Sequence, residues 1–105
     1  MFNFFKNLFK QKPSINFQEL MQKGAIIVDV RTPGEYITGH ISGALNIPIN
    51  SLVSHLNKLP KNKPLITCCA SGMRSATGRQ ILISKGYEEV YNGGPWTVLN
   101  KTLNG

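Results

Sequence analysis

The sequence predicts an α/β fold built on a largely parallel sheet. Short β-branched runs alternate with stretches of helical spacing along the chain, and no internal repeat or low-complexity tract interrupts them. Length sets the scale, because 105 residues supply one hydrophobic core and no material for a second.

The elements follow in order. Pro13 marks a break, and Ser14-Ile15 reads as a short first strand. Asn16-Phe17-Gln18-Glu19 has the form of a capping box, with Asn16 as N-cap and Glu19 reaching back, and Gly24 closes that helix. Ala25 to Val30 is a β-branched run of the right length for a buried strand. GALNIP, residues 43–48, reads as another strand, stopped by Pro48. From Asn50 to Leu59 the apolar residues Leu52, Val53, Leu56 and Leu59 recur at helical spacing until Pro60, which predicts an amphipathic helix lying on the surface. Pro64 to Cys68 is the next buried strand. Ser75 to Lys85 is a helix with Ile81 and Leu82 facing inward and Gly86 just past its end. Glu89 to Tyr91 is a last short strand, followed by NGGPW and a final turn of helix.

Composition narrows the function. Apolar residues make up 41% and charged residues 16%, an ordinary globular balance. Twelve Lys plus Arg against five Asp plus Glu give a net charge of +7, which favours anionic partners. The basic residues are scattered, as at Lys6, Lys23, Lys58, Lys85 and Lys101, with no Lys/Arg-rich run or zinc-finger spacing, so nucleic acid is not the expected partner. Cys68 and Cys69 are adjacent, and a bridge between sequence neighbours needs a distorted peptide, so reduced thiols and a cytoplasmic setting are expected. His40 and His55 stand alone, and no ligand set at metal-site spacing accompanies them, so no metal is expected.

Residues 1–12 read as an amphipathic segment ahead of a domain over 13–105. On a helical wheel Phe2, Phe4, Phe5, Leu8 and Phe9 share one side, and Asn3, Lys6, Asn7 and Lys10 the other. The segment is too short and too interrupted for a membrane span. Its candidate roles are packing on the domain or a second subunit, and peripheral contact with an anionic membrane.

The chemistry concentrates in ITCCASGMRSA, residues 66–76. Cys69 lies at the carboxyl end of a strand and opens a six-residue loop, Cys69-Ala70-Ser71-Gly72-Met73-Arg74, that leads into a helix. Ligands bind at this end of the strands in open α/β folds. Backbone N–H groups curling round a central sulfur, above a helix N-terminus, make a site for negative charge and favour thiolate over thiol. Ala70, Ser71 and Gly72 are small enough to let the loop close, and Arg74 adds a cation or braces the loop through its carbonyls. Cys68, inside the apolar strand, reads as a core residue. Spacing alone leaves Cys69 a choice between thiol chemistry and binding phosphate.

VDVRTPGEYITGHISGALNIP (residues 28–48), CASGMRSA (69–76) and GGPW (93–96) resemble the single-domain rhodanese family of sulfurtransferases, over about Ser14 to Leu103. The resemblance implies a five-stranded, mainly parallel sheet flanked by helices, with Cys69 as the nucleophile. It implies a persulfide mechanism, in which Cys69 takes sulfane sulfur from a small anionic donor such as thiosulfate and passes it to cyanide or a thiol. Inward N–H groups from Ala70, Ser71, Gly72, Met73, Arg74 and Ser75 would hold the anionic persulfide, with no metal and no cofactor. A sulfur-carrier protein is a further candidate partner. Protein phosphatases of related architecture use Cys-x5-Arg, whereas Cys69 and Arg74 are spaced Cys-x4-Arg, a smaller cradle that suits sulfur.

The other motif residues read as scaffold. Arg31 is expected to pair with Asp29 or Glu35, His40 to be structural, Gly93 and Gly94 to allow tight turns, and Trp96 to pack nearby. Cys68 is a second candidate to receive sulfur or form a transient mixed species, but if it points into the core, as strand alternation predicts, it cannot resolve a persulfide on Cys69. The alternative function is a binding or sulfur-carrier docking module that keeps the loop without turnover. An intact Cys69 argues for the enzyme.

Overall fold

A computed structural model of the chain describes Gln11 and residues 14–105. The amphipathic segment expected over residues 1–12, its membrane contact and the Pro13 break lie, Gln11 apart, outside the described residues. Four strands form one sheet, β1 Ile26–Asp29, β2 Leu45–Asn46, β3 Leu65–Cys69 and β4 Val90–Pro95. Their spatial order is β2-β1-β3-β4, with every neighbouring pair parallel. Around the sheet lie helices α1 Phe17–Gln22, α2 Pro33–Ile37, α3 Met73–Ser84 and α4 Trp96–Asn104. The parallel α/β architecture agrees with the sequence reading, except that the expected fifth strand is absent from the described residues. Ile15 instead sits immediately before the α1 cap and joins Leu20 in one apolar cluster, as in a hydrophobic staple.

Local chemistry explains most boundaries. Asn16 caps α1 by accepting the Glu19 N–H at 3.0 Å, but Glu19 does not complete the box; its carboxylate faces Lys23 at 3.5 Å. The complete capping box belongs to α2, a helix the sequence reading omitted. Thr32 Oγ1 accepts the Glu35 N–H at 3.3 Å while Glu35 Oε1 accepts the Thr32 N–H at 3.0 Å, and Pro33 occupies the first turn. The strand at Glu89 to Tyr91 runs on through Pro95, so Asn92, Gly93 and Gly94 belong to β4, and the final turn is the nine-residue helix α4.

The helix expected over 50–59 is replaced by two 3-10 segments, Ile49–Ser51 and Val53–Lys58. The Ser51 carbonyl explains the break. It accepts from Ser54 Oγ at 2.9 Å and is bonded by His55 Nδ1 at 2.8 Å, while the His55 N–H donates to Leu52 O, only three residues back. With the tighter turn Leu52 and Leu59 point into the core and Val53 is left exposed. Tyr87 fastens this segment by donating its hydroxyl to Leu59 O at 2.7 Å.

The sheet divides the single core into two apolar layers, one on each face. Val28, Val30, Leu52, Leu65, Cys69, Leu82 and Val90 pack on one side, and Leu20, Ile27, Ile41, Ile66, Cys68 and Leu99 on the other. Alternation along β3 thus sends its two cysteines to opposite faces. The chain runs from β1 outward to β2 on one side and to β3 and β4 on the other, so the order reverses between β1 and β3. The carboxyl ends of these two strands, Asp29 and Cys69, therefore flank the crevice where such folds bind ligands.

Candidate active site

Cys69 is the last residue of β3 and is fully buried. The chain then turns back over its sulfur before α3 begins. Gly72 makes that turn possible: its φ of +99° is in the region that only glycine enters without strain, and it leads directly into Met73. As a result the Gly72 N–H donates to Cys69 Sγ at 3.0 Å and the Ser75 N–H at 3.3 Å, with Ser75 Oγ also 3.3 Å from the sulfur. α3 points its N-terminus at the same atom.

These contacts separate the two thiols. Burial works to raise the Cys69 pKa, but the Ser75 hydroxyl, the Ser75 and Gly72 N–H groups and the Ser71 backbone outweigh it and bring the thiol below the usual range. Cys68 has no such donors. Burial first, and then the nearby Asp29 charge, push it up to about 12.

Arg74 makes no hydrogen bond to the sulfur or to the loop carbonyls. Its guanidinium meets the Glu35 carboxylate of α2 in two bonds, Nη1 to Oε1 at 2.7 Å and Nη2 to Oε2 at 2.8 Å. Arg74 therefore braces the loop against α2. This pairing holds Glu35 at about 2, with the Thr32 N–H as the next cause.

Behind the loop, Arg31 and Asp29 form a buried pair. Arg31 Nη2 and Nε reach Asp29 Oδ2 and Oδ1 at 2.7 and 2.9 Å, and Arg31 Nη2 also donates to Gly39 O at 2.7 Å. The guanidinium lies 4.9 Å from the Trp96 ring centroid, a cation–π contact. His40 stacks on Tyr36 with centroids 3.7 Å apart and bonds the Tyr36 carbonyl through Nδ1 at 2.8 Å, consistent with a structural part.

Asn92 and Glu35 are two site residues whose connections to the loop the sequence reading did not find. Asn92 Oδ1 accepts the Ser75 hydroxyl at 2.7 Å and the Gly94 N–H at 2.9 Å, and its Nδ2 lies 3.4 Å from Gly72 O. Gln11 holds Asn92 from outside, donating its amide to Asn92 O at 2.8 Å and accepting the Asn92 N–H. Gly93 permits close approach rather than a turn, since a Cβ there would lie 2.9 Å from Thr67 O. Of the expected loop residues, Gly72 and Ser75 converge on the sulfur with Cys69, and Ser71 adds its backbone. Ala70 and Met73 lie on the exposed rim.

A family model, the rhodanese-like domain, matches residues 16–94. The chain is 32% identical over 84 residues to a thiosulfate sulfurtransferase, GlpE, of Pseudomonas fluorescens, covering 80% of this chain and 77% of that protein. Among solved structures it is similar to a rhodanese with anions from E. coli, with a TM-score of 0.67 and 30% identity, over 70% of this chain and 89% of that one. It is also similar to the reduced CoADR-RHD of Bacillus anthracis, with a TM-score of 0.71 and 32% identity, over 84% of this chain and 16% of that longer protein.

Proposed function

The chain belongs to the rhodanese-like domain family, and from that membership we propose that it is a sulfurtransferase carrying sulfane sulfur as a persulfide on Cys69. The observation that carries this reading is the convergence of the Gly72 and Ser75 N–H groups on Cys69 Sγ at 3.0 and 3.3 Å. Fixed donors of this kind stabilise a thiolate before reaction and a persulfide anion after it.

The chemistry balances without a cofactor. The Cys69 thiolate attacks the outer sulfur of thiosulfate, a new S–S bond forms on the protein, the S–S bond of the donor breaks, and sulfite leaves with the electron pair. Cyanide or an acceptor thiolate then attacks the outer sulfur of the persulfide. Thiocyanate or a new persulfide departs and the Cys69 thiolate returns. Ala70, Ser71, Gly72, Met73, Arg74 and Ser75 form the cradle for the donor. A thiol-bearing sulfur-carrier protein is an acceptor of the same chemistry.

The test is mass spectrometry of the protein after exposure to thiosulfate. A gain of about 32 Da on Cys69, removed by dithiothreitol, is the expected result. One observation favours a second reading, a docking module without turnover: Cys69 has no solvent exposure, so a donor reaches it only if the loop opens. A persulfide that fails to form with thiosulfate, in a protein whose Cys69 still alkylates, would favour that module.

A further inference from the structure

The Ser75 hydroxyl carries a single hydrogen and faces three acceptors. Asn92 Oδ1 is 2.7 Å away, Gly72 O 3.1 Å and Cys69 Sγ 3.3 Å. While Cys69 is a thiol, its S–H donates to Ser75 Oγ and the Ser75 hydrogen points to Asn92. When the thiol ionises, its proton leaves to water during an opening of the loop, and the Ser75 hydroxyl can rotate to donate to the sulfur instead. Neither deserted acceptor is then left bare. Asn92 Oδ1 keeps the Gly94 N–H at 2.9 Å, and Gly72 O keeps the Ala76 N–H at 3.2 Å. A buried hydroxyl can change partners cheaply only under this condition.

From this geometry we infer that Asn92 is a positioning residue for the nucleophile: it is the resting acceptor of a Ser75 hydroxyl rotor whose second position is the Cys69 thiolate. Asn92 competes with the sulfur for one hydrogen and thereby sets how readily Cys69 ionises. Gln11 fixes the competitor in place by gripping the Asn92 backbone on both its N–H and its carbonyl. The inference rests on reading Cys69 as the sulfur-carrying nucleophile.

The charged groups near Cys69 are accounted for separately. Arg74 is paired with Glu35, Arg31 with Asp29, and Cys68 stays neutral on the opposite face with its pKa pushed up to about 12. None of these pairs includes Asn92 or Ser75, so substitutions there leave them in place.

The test is the pH profile of Cys69 alkylation by iodoacetamide on the full chain, mapped by mass. It reads the thiolate directly and needs no sulfur transfer, so its outcome is independent of whether thiosulfate is the donor. Ser75→Ala is expected to slow alkylation about tenfold below the titration midpoint, through loss of a hydrogen bond to a charged sulfur. Asn92→Ala is expected to move the midpoint to lower pH and speed alkylation there several-fold, and to do neither in the Ser75→Ala background. A merely structural loosening would raise the plateau rate at high pH and leave the midpoint alone. Should Asn92→Ala fail to fold, Asn92→Asp carries the test. Its carboxylate keeps the Gly94 bond and holds the hydroxyl harder, so the midpoint rises more with Ser75 present than in the Ser75→Ala background. A midpoint unmoved by Asn92→Ala, or Asn92 shifts of equal size in the two backgrounds, would overturn the inference.

Discussion

Arg74 of the loop that follows β3 and Glu35 of α2, separated by 39 residues in the chain, meet in a two-point ion pair at 2.7 and 2.8 Å. The same carboxylate caps α2 through the Thr32 N–H at 3.0 Å, so one side chain holds a short helix and the rim of the loop together. Both partners are about one third exposed, at 35% and 37%, and the pair acts through geometry more than through stability.

Glu35→Gln should lower sulfur-transfer efficiency about tenfold by letting the loop drift from its cradle geometry. The pair also makes an acid-dependent contribution to folding. The folded pKa of Glu35 is about 2 against an ordinary value of 4.5, so the contribution is present above pH 4.5 and is lost as the pH falls toward about 2. Urea unfolding across that range should show the wild type and Glu35→Gln converging at the acid end. A stability difference that stays constant from neutral pH to pH 2 would contradict the assignment.

The two cysteines should behave as unlike residues. Cys69→Ser should abolish transfer from thiosulfate to cyanide with the melting temperature retained, because a hydroxyl is a far weaker nucleophile than a thiolate. Cys68→Ala should keep most of its turnover. Iodoacetamide should label Cys69 near neutral pH and leave Cys68 unlabelled until the chain unfolds, given a Cys68 pKa of about 12. Because Cys69 is covered, bulkier thiol reagents should react disproportionately slowly with the folded protein.

The Asp29–Arg31 pair is buried, with relative exposures of 0% and 3%, so breaking it leaves an uncompensated charge in the core. Asp29→Ala should cost about 3–5 kcal/mol, measured by urea unfolding. A loss under about 1 kcal/mol would mean that water reaches Arg31 without Asp29.

Glycines in this chain should respond to alanine with opposite signs. At Gly93 a Cβ would lie 2.7 Å from Leu99 Cδ2 and 2.9 Å from the Thr67 carbonyl oxygen, and the carbonyl cannot swing aside. Gly93→Ala should therefore destabilise by about 1–3 kcal/mol. At Gly34, inside α2, a Cβ meets nothing within 4 Å, and Gly34→Ala should stabilise by about 0.5–1 kcal/mol. Thermal melts of the two variants distinguish these outcomes.

What the sequence disclosed was local or strongly patterned. The β-branched runs located β1 and β3, the glycine past Lys85 located the end of α3, and the position of Cys69 before a small-residue loop located the sulfur. Thr32-Pro33-Gly34-Glu35 carries a readable capping signal for α2, with Thr32 as N-cap, Pro33 in the first turn and Glu35 three residues on. Hydrogen bonds made by Ser54 and His55 redirect the 50–59 segment, and apolar spacing does not register them. The partners of Arg74 and Ser75 were beyond reach for another reason. Glu35 and Asn92 reach the loop only because β1, β3 and β4 lie side by side, and pairing across distant strands has no signature in either stretch alone.

The separation of Cys68 and Cys69 onto opposite faces of β3 also bears on oxidative damage. If peroxide converts Cys69 to a sulfenic acid, condensation with a second thiol would rescue it, and without rescue oxidation proceeds to the irreversible sulfinic acid. Cys68 is sealed in the apolar layer on the other face of the sheet. Repair would then fall to a thiol from outside this domain, reaching Cys69 past the Gly72–Ser75 turn.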